Sequence, residues 1–299
     1  MLYDITLRMD YEYSYGASEG RHLLRLTPAQ VDGMQRVIAS SLNISPAPSE
    51  RTEDVDFFGN RYTEVGFRDS HDALEFRMQA RVERFAPAAG LDVSPSRPEL
   101  QAQVEASRFL DGRSPLHFTG LSPEVTPHAE FRDFAMAHVA ADMTALTCVR
   151  AVGRALHDHM SFDAEATDVD TPPIESFRQR RGVCQDYTHI MIGCLRSVGI
   201  PAGYVSGYLR TLPPPGKPRL EGADAMHAWA MAWCGAQTGW IEFDPTNNLD
   251  VGLDHIFVAS GRDYFDVAPV KGIARMAGRQ KTSQAVDVHV VGESRDSAA

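Results

Sequence analysis

Gly182-Val183-Cys184-Gln185-Asp186-Tyr187-Thr188-His189-Ile190-Met191-Ile192-Gly193-Cys194-Leu195-Arg196-Ser197-Val198-Gly199-Ile200-Pro201 reads as one bounded helix. Tyr187, Met191, Cys194, Leu195 and Val198 recur at helical spacing, and Gly199-Ile200-Pro201 stops the run. Gly182 separates it from a shorter helix expected over Ile174 to Arg180. Upstream, the same period runs through Phe131–Val139 and again through Leu146, Val149, Val152 and Leu156, which predicts two more helices. Downstream the pattern changes to strands at Gly203–Arg210, Met226–Trp233, Trp240–Phe243 and Val286–Val290, with a proline-rich loop at Pro213–Pro218. Helices followed by a sheet give an α+β core.

The first part of the chain has a different period. From Tyr3 to Tyr15 every odd position is Tyr, Ile, Leu or Met and most even ones are polar, as in a strand with one buried face. Arg36 to Ile44 also alternates, and a turn at Gly59-Asn60 separates Val55–Phe58 from Tyr62–Phe67. Between Leu74 and Phe85, Leu74, Phe76, Met78, Ala80 and Val82 share one face and Glu75, Arg77, Gln79, Arg81 and Glu83 the other. These strands predict an antiparallel, sandwich-like β-rich domain over residues 1–95. The aperiodic Pro-, Ala- and Ser-rich stretch from Ala86 to Pro98 joins it to a second domain over 96–299, and the polar tail after Gly292 is expected to fray.

A chain of 299 residues is long enough for two cores, and 43% hydrophobic with 23% charged residues is the balance of a folded protein. The formal charge of -11 offers no basic footprint for phosphates, which argues against nucleic acid and anionic membrane as partners. The N-terminus lacks a basic stretch followed by an apolar segment, so a cytoplasmic location is expected. The four cysteines, Cys148, Cys184, Cys194 and Cys234, form no C-x-x-C pair, so neither a disulfide framework nor a zinc site is expected.

Cys184 opens the bounded helix, where unpaired N–H groups and the positive end of the helix dipole favour a thiolate, the form that attacks carbonyl carbon. Its own backbone N–H would supply part of an oxyanion hole. Cys148 and Cys194 lie in apolar helical patterns and Cys234 at a hairpin turn, so all three read as inert. His227 begins a strand on whose odd positions stand His227, Trp229, Met231 and Trp233. An isolated histidine there is more often structural, but the next strand changes the reading. If Cys234–Gly239 is the turn and Trp233 faces Trp240, Asp244 stands opposite Trp229 and diagonal to His227, roughly 7–8 Å away between backbones. A carboxylate at one imidazole nitrogen fixes the tautomer while the other nitrogen exchanges a proton with the thiol. Asn247 and Asn248 are the alternative orienting residues. Trp229, on the face of His227, is the candidate for lining a substrate groove. His157-Asp158-His159 does not make a metal site, because helix residues two apart do not share a face; no metal or other cofactor is expected.

Four blocks carry a resemblance: Gly182-Val183-Cys184-Gln185-Asp186-Tyr187-Thr188-His189, Gly199 to Tyr208, His227-Ala228-Trp229, and Trp240-Ile241-Glu242-Phe243-Asp244-Pro245-Thr246-Asn247. In order and spacing they resemble the bacterial transglutaminase-like core, and the N-terminal strands, with His22-Leu23-Leu24-Arg25-Leu26-Thr27-Pro28, are similar to the β-rich region that precedes it. The resemblance implies a papain-like arrangement, a nucleophile helix against an antiparallel sheet, with Cys184, His227 and Asp244 as a triad acting on peptide or protein amides. Members include hydrolases and crosslinking enzymes. Phe162-Asp163-Ala164-Glu165-Ala166-Thr167 departs from the family's tyrosine-bearing segment, so no tyrosine role is carried over there. Asp186 and His189 read as helix-end or sheet contacts.

Overall fold

The computed structural model describes residues 1–86, 90–211, 222 and 224–292. Part of the expected linker, the Pro213–Pro218 loop and the polar tail after Gly292 lie outside the described residues.

The first sheet is built around one long strand, β1 (Leu2–Leu24), with β2 (Gln35–Ser45), β3 (Glu50–Val55), β4 (Arg61–Phe67) and β5 (His71–Arg84) in the order β2-β5-β1-β4-β3. The alternation read from the sequence is the burial pattern: Tyr3, Ile5, Leu7 and Met9 pack with Leu74, Phe76, Met78, Ala80 and Val82 in the core. It ends sooner than expected, because Tyr15 is 80% exposed. Gly16 and Glu19 take positive φ, and the pairing registers slip between Glu12 and Ala17 and between Ser18 and Arg21. This break moves the buried phase from odd to even positions, to His22 and Leu24. The hairpin around Gly59-Asn60 is present, but its first strand is Glu50–Val55; Phe57 and Phe58 sit in the turn, because Asp56 accepts the N–H groups of Phe58 and Asn60.

Helices follow: α1 (Arg97–Ala106), a 3-10 turn at Pro115–Phe118, α2 (Ala129–His138) and α3 (Ala145–His159). The two-residue strands β6 (Ser161–Phe162) and β7 (Arg181–Gly182) pair in parallel around α4 (Pro173–Gln179). Then α5 (Cys184–Ser197) packs on β8 (Ala202–Leu209) and β9 (Ala225–Trp233) of a second antiparallel sheet. β10 (Trp240–Asp244), β11 (Leu249–Asp250) and β12 (His255–Gly261) complete it in the order β11-β10-β9-β8-β12. A short α6 (Tyr264–Val267) leads to β13 (Val270–Met276) and β14 (Gln280–Val290).

These last two strands return to the first sheet. β14 pairs with Tyr3–Tyr13 of β1 and β13 with Ala17–Leu24, so the strand expected at Val286–Val290 as part of the second domain lies beside the first strand of the chain. The two sheets are also stapled by amide side chains. Buried Gln35 bonds both the N–H and the C=O of Phe257, and Asn60 does the same to Ser260, which satisfies the open edge of β12 as a neighbouring strand would. No helix among the described residues is long and apolar enough to cross a membrane.

Candidate active site

Asp244 is the centre of the site and is fully buried. The hairpin register is the one the tryptophans implied: Trp240 faces Trp233 and Phe243 faces Ala230, which leaves Asp244 one step beyond, toward His227. His227 Nε2 lies 2.8 Å from Asp244 Oδ2. Two further donors reach the same oxygen, Asn247 Nδ2 at 2.7 Å and His255 Nε2 at 3.0 Å. The other oxygen, Oδ1, accepts the backbone N–H groups of Thr246 at 3.0 Å and Asn247 at 3.1 Å. Asp-Pro-Thr-Asn is therefore a turn folded around its own aspartate, and His157 fastens that turn to α3 through a 3.0 Å contact with the Thr246 carbonyl. Burial alone would raise the pKa of Asp244, but the bonds from His227, His255 and Asn247 outweigh it and hold the carboxyl well below the ordinary range.

With Nε2 committed to Asp244, the His227 ring has Nδ1 left to exchange a proton, and Cys184 lies beside it, lining the same cavity and close enough to raise the pKa of the imidazole. Burial pulls the His227 pKa down, yet the bonds to Asp244 and Cys184 lift it to about 10. The half-buried Cys184 sits at the first position of α5, where its N–H has no partner within the helix. That helix end is pinned from below. Asp186 Oδ2 accepts the Val183 N–H at 2.8 Å and the Thr167 hydroxyl at 2.7 Å, and its Oδ1 accepts the Ser176 hydroxyl at 2.6 Å. A Cβ at position 182 would lie 2.5 Å from Asp186 Oδ2, so the carboxylate reaches the Val183 N–H only because residue 182 is glycine. Asp186 is thus a helix-end anchor. His189, also in α5, accepts the Tyr264 N–H at 3.2 Å, and burial lowers its pKa to about 3.

The groove expected at Trp229 is not there. Trp229 has no exposed surface: its indole N–H donates to Glu242 at 2.9 Å, and its ring stands edge-on to His255 at 5.1 Å, beneath the histidines. A tryptophan on the histidine face of this twisted sheet supports the imidazoles rather than meeting substrate. Cys148, Cys194 and Cys234 are buried, and burial raises the pKa of each. His159 stacks on Phe177, away from His157. His227, Asp244 and His255 bring three ligand-type atoms within 4.8 Å of one another, but the shared oxygen is already occupied by hydrogen bonds from both imidazoles.

Sequence reading missed His255. The apolar run Ile256-Phe257-Val258-Ala259 behind it was the available signal for β12, and a histidine at the head of that strand repeats the placement of His227 at the head of β9.

Comparison with known proteins places the chain in a family. Residues 3–83 match the bacterial transglutaminase-like N-terminal region, and residues 132–245 match the transglutaminase-like superfamily, a segment that ends just past Asp244. The protein Rv2569c of Mycobacterium tuberculosis (strain ATCC 25618 / H37Rv) is 37% identical over 280 residues, spanning 91% of this chain and 87% of the relative. The chain belongs to the bacterial transglutaminase-like family. A second member, ML0607 of Mycobacterium leprae (strain TN), is 32% identical over 286 residues, covering 94% and 95% of the two chains. Among solved structures, "a Putative Cysteine Protease from Cytophaga hutchinsonii" superposes with a TM-score of 0.74 at 20% identity, over 97% of this chain and 90% of that one. At that identity the likeness speaks to the fold, and its coverage extends over nearly the whole of this transglutaminase-like chain.

Proposed function

We propose that this transglutaminase-like protein is a thiol-dependent acyl-transfer enzyme that cleaves amide bonds. The observation that carries the reading is the ordered chain of contacts from Cys184 through His227 to Asp244. Cys184 attacks the carbonyl carbon of a peptide or glutamine-type amide as thiolate. His227 returns the proton from Nδ1 to the departing amine, while Asp244 at Nε2 keeps the ring in one tautomer and stabilises its protonated form. The Cys184 N–H faces the developing oxyanion, a donor of a kind worth about 3–4 kcal/mol in comparable sites. Water then releases the acyl group from the thioester. Hydrolysis is the first choice over amine transfer because the cavity beside Cys184 opens to solvent, so water reaches the thioester.

The reading is tested by incubating the protein with a peptide library, with and without a primary amine, and analysing masses. Cleaved peptides support the hydrolase; amine adducts convert the reading to a crosslinking enzyme. If neither forms, and alkylation of Cys184 keeps its pH dependence in His227→Ala, the chain is a binding module on this fold.

A further inference from the structure

The cavity beside Cys184 and His227 measures about 250 Å³ and is walled from two directions. On the nucleophile side stand Tyr204, Ser206 and Met226, from the helix-facing side of the second sheet and the start of β9. The opposite wall belongs to the first sheet: Met9 and Tyr11 from β1 and Gln284 from β14. Met9 and Gln284 are directly paired across these strands, and Tyr11 is braced edge-on against Phe76 at 5.7 Å, so the wall is set by strand register rather than by a loop.

Among the described residues, no Asp, Glu, Lys or Arg lines this cavity. Apart from Cys184 and His227 themselves, its polar side chains are amides and hydroxyls. Burial raises the pKa of Tyr11, Tyr204 and Tyr264, so their hydroxyls remain neutral donors. The carboxylates behind the wall are engaged with backbone: Asp186 holds the Val183 N–H, and Asp263 holds the N–H groups of Phe265 and Glu124. Tyr204, only 3% exposed, brings its ring and hydroxyl to the lining from the second sheet.

We propose that the first sheet is the specificity wall of the thiol site: Met9, Tyr11 and Gln284 select an acyl donor that presents an uncharged aromatic or aliphatic side chain next to the amide under attack. The inference rests on the acyl-transfer reading and names its substrate class. A charged side chain packed against the Met9, Tyr11 and Gln284 wall leaves water and finds no counter-charge there, the His227 imidazole being engaged with Asp244 and Cys184, whereas an apolar one replaces water against methionine and tyrosine. The volume admits one large side chain. This also gives the N-terminal sheet a part in the chemistry, since β1 and β14 supply the side of the cavity opposite the nucleophile.

The test uses the full chain and short peptidyl vinyl sulfones that carry Phe, Leu, Lys or Glu beside the thiol-reactive group. The second-order rate of Cys184 modification is read by mass spectrometry and divided by the rate with iodoacetamide for the same protein. Phe and Leu probes are expected to react at least about tenfold faster than Lys and Glu probes. In Gln284→Lys, an exposed position on β14, the Glu probe should gain about tenfold relative to the Leu probe; Met9→Lys, at a buried position, provides the second variant if it folds. Equal rates for charged and neutral probes, or a Glu-to-Leu ratio unmoved in Gln284→Lys, overturn the specificity wall while Cys184 remains reactive. A Cys184 no more reactive than Cys148, and indifferent to His227→Ala, would instead remove the acyl-transfer reading and the wall with it.

Discussion

Replacing Asp244 by Asn separates what this carboxylate does for the fold from what it does for His227. Five donors converge on it, three on Oδ2 and two on Oδ1. An amide has one acceptor oxygen, so its NH2 group must face donors on one side. Turning NH2 toward the backbone loses two bonds, and turning it toward His227, His255 and Asn247 loses three; the first orientation is cheaper. Buried bonds to a charged group contribute about 1.5–3 kcal/mol each, so the expected loss is about 3–6 kcal/mol, read as a lower midpoint in denaturant unfolding. In that orientation the amide oxygen still accepts from His227, and the tautomer is kept. What disappears is the negative charge. Protonated His227 contributes stability that is complete below its ordinary pKa of 6.5 and is lost as pH rises through about 10. Without the Asp244 charge that upper limit falls, so the alkaline limb of peptide cleavage, or of Cys184 alkylation, should move from near pH 10 toward neutrality. An unfolding midpoint equal to wild type would refute the donor count. A destabilised protein whose alkaline limb has not moved would refute the electrostatic role and leave Asp244 as a turn former only.

His255→Phe retains an aromatic ring beside Trp229 but removes one of three donors on Asp244 Oδ2, so stability should drop by about 1.5–3 kcal/mol and the alkaline limb should shift less than in Asp244→Asn; an unchanged profile and midpoint would remove His255 from the site. Gly182→Ala forces the Asp186 carboxylate off the Val183 N–H, and a loss of about 1–3 kcal/mol with slower Cys184 alkylation is expected, measured side by side with wild type. Neutral, buried His189 gives stability that is complete above pH 6.5 and lost as pH falls toward about 3, at up to about 1.4 kcal/mol per pH unit. His189→Gln, which can still accept the Tyr264 N–H, should flatten that acid limb in pH-dependent unfolding, and a slope equal to wild type would place the acid sensitivity elsewhere.

What could be read in the sequence was what depends on neighbours along the chain. The period of two through Tyr3–Met9 and Leu74–Val82, the helix bounded by Gly182 and Gly199, and the Trp233–Trp240 hairpin register are local, and each appears in the fold. The hairpin register was enough to bring Asp244 to His227. Features that depend on a distant partner were not legible. Alternation marks Val286–Val290 as a strand but does not say that its partner is Tyr3–Leu7, nearly the whole chain away. Trp229 shares the face of His227, as expected, but whether that face meets solvent depends on β12 and on the Pro115–Phe118 turn packing over it. His255 escaped notice for the same reason, since its meaning comes from the Asp244 oxygen it touches and not from its own surroundings in the sequence.

The first and last strands of the chain and His227 are joined by a short series of contacts. Asp224, immediately before β9, accepts the Val288 N–H at 2.6 Å and bridges to Val286 of β14. β14 in turn lies against β1 with Met9 opposite Gln284, the pair that faces Cys184 across the cavity. The strand that delivers His227 is therefore anchored at its start to the strand that forms the far wall. Register in the first sheet fixes the wall, the wall strand fixes the beginning of β9, and three residues further on β9 places the imidazole. The first sheet is therefore no mere appendage to the transglutaminase-like core: it is part of the frame that sets the distance between Cys184 and the far wall of its cavity.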